Sequence, residues 1–267
     1  MTGTKKQSLY VIKVGGNVID NEALLPAFLK DLSNIQGNFI LIHGGGKIAT
    51  RIGEKLGIEA KMVDGRRITD AQTIDLVTMV YAGLVNKQIV AKLQAIGCNA
   101  IGLSGADGNI IPATKRPVKT VDYGFVGDVK PEDINAHAVK ALLDAGMNPV
   151  FSPLTHDGHG QMLNTNADTI ASSLAIALGE LYHVRLIYCF EKKGVLRDAN
   201  DDNTVINLID RPIYNQLLAD NILFDGILPK LENAFAAIES GVGEVLIGHA
   251  DDVLQNTTDA VAGTLIR

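Results

Sequence analysis

The chain has no tryptophan, only two cysteines and 5% aromatic residues among its 267 positions. A core built from it must therefore be aliphatic, and the 46% hydrophobic content supplies enough Leu, Ile, Val and Ala for a large one. Cys98 and Cys189 are far apart and lack metal-ligand spacing, so reduced thiols in an intracellular protein are the simplest account. Basic residues are outnumbered, giving a formal net charge of −6, which argues against a nucleic-acid surface. No apolar run stands out at the length of a membrane span, and Met1–Ser8 has no signal-like apolar stretch. A soluble, cytoplasmic protein without membrane or nucleic-acid partners is expected.

Motifs are missing too. There is no GxxxxGK[ST] loop, no GxGxxG after the first strand, no HExxH and no GxSxG. A zinc site, a dinucleotide fold and a serine hydrolase are disfavoured together. The histidines lack ligand spacing, and no resident metal site is expected; His43 reads as a packed or hydrogen-bonded histidine.

What is present begins with Leu9–Gly16, an apolar strand that carries Lys13 and runs into Gly15-Gly16. A lysine in such a run must find a partner or shift its pKa. Two readings stand: a lysine snorkelling from a strand end, or a lysine and glycine turn that hold phosphate. Helical spacing over Asn21–Ile35, a strand at Asn38–Ile42 and the turn His43-Gly44-Gly45-Gly46 repeat the strand–glycine–helix order within fifty residues. This predicts an α/β fold: a three-layer αβα sandwich on a mainly parallel central sheet.

Further along, Thr69 or Asp70 caps a predicted helix over 71–95, and 99–103 and 148–152 read as strands around hairpins in 110–129. Asn164–Asp168 opens a helix of small apolar residues, in which Asp168 is either a dipole-favoured acid or a site residue. Val184–Phe190 and Glu244–Gly248 are strands, helices cover 211–221 and a stretch ending at Ser240, and Gly263–Ile266 closes the sheet. No linker divides the chain. One domain over 1–267 is expected, with lobes at 1–180 and 181–267. Glycine loops, two loop lysines (Lys13 and Lys230), one arginine loop and one acid are equipment for phosphoryl transfer by positioning and charge neutralisation.

Seven stretches then match one family in order along the chain: Ile12–Gly16, His43–Gly46, Gly65–Thr69, Phe125–Val129, Asn164–Asp168, Gly226–Lys230 and Gly263–Ile266. On these, the chain resembles the N-acetylglutamate kinases of the amino-acid kinase family. The resemblance implies transfer of the ATP γ-phosphoryl to the side-chain carboxylate of N-acetyl-L-glutamate, the second step of arginine biosynthesis. Lys13 and Lys230 would neutralise phosphoryl charge, and Asp168 would hold them in place. Gly15 and Gly16 would meet the ATP phosphates; Gly45 and Gly46 the reacting carboxylate. Arg67 would grip the α-carboxylate and Asn164 the backbone-like groups of the substrate. Glu191, Gly194, Leu196 and Phe224 would form the rest of the ATP site, with Mg²⁺ on the phosphates. The 181–267 lobe would bind ATP and the 1–180 lobe the acylglutamate.

The chain departs from the family pattern in three places. Phe190–Leu196 replaces the usual Thr-Asp-apolar-x-Gly-Val loop, Ala106 stands where relatives carry lysine, and Arg66 replaces an apolar residue. Arg66 opens an alternative acceptor with one more carboxylate, N-succinyl-L-glutamate. A silent amino-acid sensor on the same fold is a further alternative, but one expected to have lost a lysine or Asp168. Only about eight residues precede the first strand, and the resemblance then implies an arginine-insensitive homodimer.

Overall fold

The computed structural model describes residues 6–63, 65–198, 200–223 and 227–267. Eight strands form one sheet: β1 Ser8–Val14, β2 Asn38–His43, β3 Ala100–Leu103, β4 Asn148–Phe151, β5 His183–Phe190, β6 Leu208–Ile209, β7 Glu244–His249 and β8 Thr264–Ile266. Their spatial order is β6-β8-β7-β5-β1-β2-β4-β3. Every pairing is parallel except β7 with β8. Contrary to expectation β8 does not close the sheet but lies one strand in from the edge, which is the two-residue β6 that no sequence signal marked. The predicted mainly parallel αβα architecture is the one observed.

Strands buried on both faces explain the near-continuous apolar runs. In β1, Leu9 and Val11 face one aliphatic core while Ile12 and Val14 face the other. The first core is covered by α5 Ala136–Asp144, α6 Ala167–Leu178, α7 Arg211–Ala219 and α8 Leu228–Glu239. The second is covered by α1 Gly16–Ile19, α2 Leu24–Ser33, α3 Gly46–Lys55 and the long α4, Ala71–Ala95. Lys13 lies on the Leu9/Val11 face by strand alternation.

By length and composition alone α4 is long and apolar enough to cross a membrane, contrary to the expectation that no run reaches that length. Its apolar stripe is instead committed to the second core through Ile74, Val77, Val80, Val85, Ile89 and Leu93. Asp70 caps it by accepting from the Thr73 N–H at 2.8 Å. Between two α-helical ends, Thr78–Val85 winds as a π-helix. Such segments locally re-aim side chains and cluster at functional sites; here the segment carries Tyr81 to the glycine loop that follows β2.

β1 is the switch point of the topology. It is paired with β2 on one side and, nearly two thirds of the chain later, with β5 on the other. Crevices at the carboxyl ends of strands around such a reversal are where α/β sheets take ligands. The loops Gly15-Gly16, Gly44–Gly46 and the segment after Phe190 all lie at that end.

Candidate active site

Lys13 is the penultimate residue of β1 and is 9% exposed. Its Nζ lies 2.9 Å from Asp168 Oδ1, so the ammonium has the partner its burial requires. Asp168 is free for this because it does not cap its own helix. Asn166 does that, accepting from the N–H groups of Asp168 and Thr169 at 2.8 and 3.2 Å. Lys13 is thus ion-paired at the end of its strand, and Asp168, in the first turn of α6, is its partner.

The third charged residue, Lys230, is in the first turn of α8. Burial pushes its pKa down, Asp168 pulls it up, and the positive charge of Lys13 lowers it again. The three groups thus sense one another although Lys13 and Lys230 are separated by most of the chain.

The two glycine loops touch. The Gly44 N–H donates to the Val14 carbonyl at 3.2 Å, and a Cβ on Gly44 would meet the Gly16 nitrogen at 3.4 Å. A Cβ on Gly45 would lie 2.9 Å from Tyr81 Cδ1, so the π-helical segment sets the loop's far wall. Gly45 also stands at the N-cap of α3 with no side chain to cap it, leaving the first N–H groups of that helix to an anion. From beneath, buried His43 fixes the loop. Asn86 Nδ2 donates to His43 Nε2 at 3.1 Å and to the Val150 carbonyl at 2.8 Å. Nε2 is therefore the acceptor, and Nδ1–H donates to the Gly44 carbonyl at 2.7 Å. Burial lowers the His43 pKa to about 4, as a neutral, hydrogen-bonded histidine requires.

Two cavities open on either side of Gly44–Gly46, and both are lined by it. One, of about 230 Å³, holds Arg66, Arg67, Arg116 and Asn164. Arg67 is 8% exposed; its Nη2 donates to the Gly46 carbonyl at 3.0 Å and to Thr50 Oγ1 at 2.8 Å, which aims the guanidinium. Asn164 Nδ2 donates to Thr69 Oγ1 at 3.0 Å, which leaves Oδ1 as its open acceptor. Arg116 is held by Asp128 at 2.5 Å. Gly127, beside Asp128, packs where a Cβ would fall 2.7 Å from the hydroxyls of Thr155 and Thr165.

The other cavity, of about 570 Å³, is lined by Gly15, Gly16, Glu191, Gly194 and Lys230. Lys47 pairs with Asn17 at its edge. The loop after β5 is pinned by β8: the Val195 N–H donates to Thr264 Oγ1 at 2.8 Å, and a Cβ on Gly194 would collide with that hydroxyl. That contact gives the Gly194-Val195 and Gly263-Thr264 motifs a shared cause. Leu196 is 2% exposed, faces the protein interior and lines neither cavity. Phe224 lies outside the described residues.

The sequence missed Tyr81, Arg116, Asn17, Lys47 and Phe190. Lys47 follows the glycine triplet directly, and Phe190 ends the strand before the nucleotide-type loop; those were the available signals. Arg116 and Tyr81 gave none, because a hairpin and a π-helix place them.

Residues 8–249 match the family model described as the amino acid kinase family. The chain belongs to the amino acid kinase family. Relatives named acetylglutamate kinase include one from Bacteroides thetaiotaomicron, 57% identical over 251 residues, covering 94% of this chain and 97% of the relative. Another, from Cytophaga hutchinsonii, is 56% identical over 250 residues, covering 93% and 94%. Among solved structures, N-acetylglutamate synthase from Neisseria gonorrhoeae complexed with coenzyme A and N-acetyl-glutamate superposes with a TM-score of 0.80. That alignment has 22% identity over 98% of this chain and 59% of the other, and it speaks to the fold alone. The lysine–aspartate pair, the second lysine and the two cavities sharing a glycine loop stand at the carboxyl end of the sheet in this family member.

Proposed function

We propose that this kinase transfers the γ-phosphoryl group of ATP to the side-chain carboxylate of N-acetyl-L-glutamate, giving N-acetyl-L-glutamyl 5-phosphate and ADP, in arginine biosynthesis. The observation that carries this reading is the pair of cavities meeting at Gly44–Gly46, one with Arg67 and Asn164 and one with Gly15, Gly16 and Lys230. The relatives named acetylglutamate kinase, at 56–57% identity, point to the same acceptor.

A carboxylate oxygen of the substrate attacks Pγ while the bond from Pγ to the ADP oxygen breaks. The nucleophile is already ionised at neutral pH, so no general base is needed. Catalysis is then charge neutralisation and alignment. Lys13 and Lys230 take the negative charge of the moving phosphoryl and the leaving ADP, and Asp168 orients the Lys13 ammonium. Gly45 and Gly46 N–H groups hold the reacting carboxylate. Arg67 takes the α-carboxylate as a two-pronged donor, and Asn164 Oδ1 accepts from the acylamide N–H. Gly15 and Gly16 meet the ATP phosphates, with Glu191 and Gly194 further along the nucleotide cavity and Leu196 packing the loop that carries them.

Among the described residues no group of three metal-ligating side chains gathers. Mg²⁺ would come with ATP, held mostly by phosphate oxygens and water. Residues 1–180 form the acylglutamate lobe and 181–267 the ATP lobe, joined where β1 pairs with β5. The enzyme acts in the cytoplasm as a homodimer.

An ATP-dependent hydroxamate assay with L-glutamate, N-acetyl-L-glutamate and N-succinyl-L-glutamate side by side tests the reading. Turnover of an acylated form with little on free glutamate is expected, and preference for free glutamate sinks it. A second reading, N-succinyl-L-glutamate as acceptor, is favoured by Arg66 and Arg116 flanking Arg67 in one cavity, since a third carboxylate would meet a guanidinium there. Undiminished succinyl turnover in Arg66→Ala removes it.

A further inference from the structure

Phe190 is the last residue of β5, on the same face as Tyr188 two residues earlier. The two rings stack with centroids 6.1 Å apart and planes at 20°. The Tyr188 hydroxyl donates to the Asp168 carbonyl at 3.4 Å, so the pair is tied to the start of α6. Over the Phe190 ring lie both site lysines: Lys230 Nζ at 3.7 Å from the centroid and Lys13 Nζ at 5.3 Å. An ammonium within about 6 Å of an aromatic centroid is drawn to the negative face of the ring, and more strongly where water is excluded.

The charge balance of the site gives this contact a purpose. Asp168 is already engaged by Lys13 at 2.9 Å, and the two ammonium groups repel each other. A second carboxylate beside Lys230 would hold it firmly but cancel the positive charge that a phosphoryl group needs. An aromatic face attracts the ammonium and adds no formal charge.

We propose that Phe190 is a positioning residue whose ring seats the Lys230 ammonium beside Lys13, so that both cations are placed before the nucleotide arrives. The proposal rests on the kinase reading above, and its test separates the two. In the full-length protein without ligand, lysine side chains labelled for NMR are titrated in wild type, F190L and F190Y, with the Lys230 signal assigned by its loss in K230R. Losing the ring removes a stabiliser of the charged form, so Lys230 titrates at lower pH in F190L and as in wild type in F190Y.

With MgATP and N-acetyl-L-glutamate, F190L loses about 10-fold in kcat, while KM for N-acetyl-L-glutamate moves less than about twofold. The alkaline limb of its kcat profile shifts to lower pH, and F190Y restores both. F190M, which fills the same space without a π face, carries the same expectations if F190L folds poorly. An unchanged Lys230 titration in F190L or F190M overturns the proposal, as does equal loss of kcat in F190L and F190Y. A wild type that phosphorylates no acylglutamate overturns the kinase reading instead, and the titration still decides the role of Phe190.

Discussion

Replacing His43 with glutamine should flatten the stability of the protein between about pH 6.5 and pH 4. The imidazole is fully buried, accepts from Asn86 and donates to the Gly44 carbonyl. Burial lowers its pKa from 6.5 to about 4. In this window the unfolded chain binds a proton at His43 that the folded chain refuses. The folded state therefore loses stability as pH falls, by about 1.4 kcal/mol per pH unit while the difference lasts. Across the whole window that amounts to roughly 3 kcal/mol. A glutamine side chain at this position offers Asn86 an acceptor and takes up no proton, so H43Q lacks this slope whatever its stability at neutral pH. Acids whose pKa is depressed, such as Asp70 and Asp157, lose their contribution below the ordinary carboxylate range. They act alike in both proteins. Urea unfolding at half-unit pH steps, wild type against H43Q, gives the difference directly. Parallel loss of stability in the two proteins from pH 6.5 to 4.5 would refute the assignment of a neutral, hydrogen-bonded His43.

Three other outcomes are expected. Asp168→Asn leaves the Lys13 ammonium without its counter-charge and should cut kcat by on the order of 100-fold, with a smaller change in KM for ATP; steady-state kinetics checks both, and an unaltered kcat contradicts the role given to the pair. Arg67→Lys keeps the charge but loses the fork held by Gly46 and Thr50, so KM for the acylglutamate should rise by about 10- to 100-fold at little cost to KM for ATP. Gly45→Ala sets a methyl 2.9 Å from the Tyr81 ring; it should cost about 1–3 kcal/mol in thermal or urea stability. Part of that should return in the G45A/Y81L double variant, whereas additive losses would show that the ring is not the obstacle.

The parallel sheet and the two glycine loops were legible because their signals are local: apolar runs of strand length, each broken by glycine, alternating with helical spacing. Lys13 was legible as an anomaly, an ammonium in an apolar strand; its partner Asp168 came from the family resemblance and not from the residues alone. Asp168 reaches it only because β1 and β5 pair and α6 starts above their ends, a long-range consequence of topology. The same limit hid Tyr81 and Arg116. Nothing in Thr78–Val85 distinguishes π from α winding, and Arg116 reaches the cavity through the hairpin and ion pair that Asp128 provides. The helix over 71–95 was legible from its apolar spacing, although its length and apolarity also satisfy a membrane test that the sequence reading passed over; one face is committed to the core. Leu196 was assigned to ATP by its place in a motif, while its burial makes it part of the loop's packing. Gly194 serves twice, lining the larger cavity and giving room to Thr264.

The central claim, direct phosphoryl transfer to the side-chain carboxylate of an acylated glutamate, can be followed by oxygen labelling. N-acetyl-L-glutamate carrying heavy oxygen in its side-chain carboxylate is incubated with MgATP and enzyme, and the product is trapped with hydroxylamine. Attack of hydroxylamine at the carbonyl carbon expels phosphate together with the oxygen that had bridged carbon and phosphorus. Mass analysis should find a single heavy oxygen in that phosphate, in step with hydroxamate formation. Phosphate without heavy oxygen, released by water at Pγ, would contradict the account.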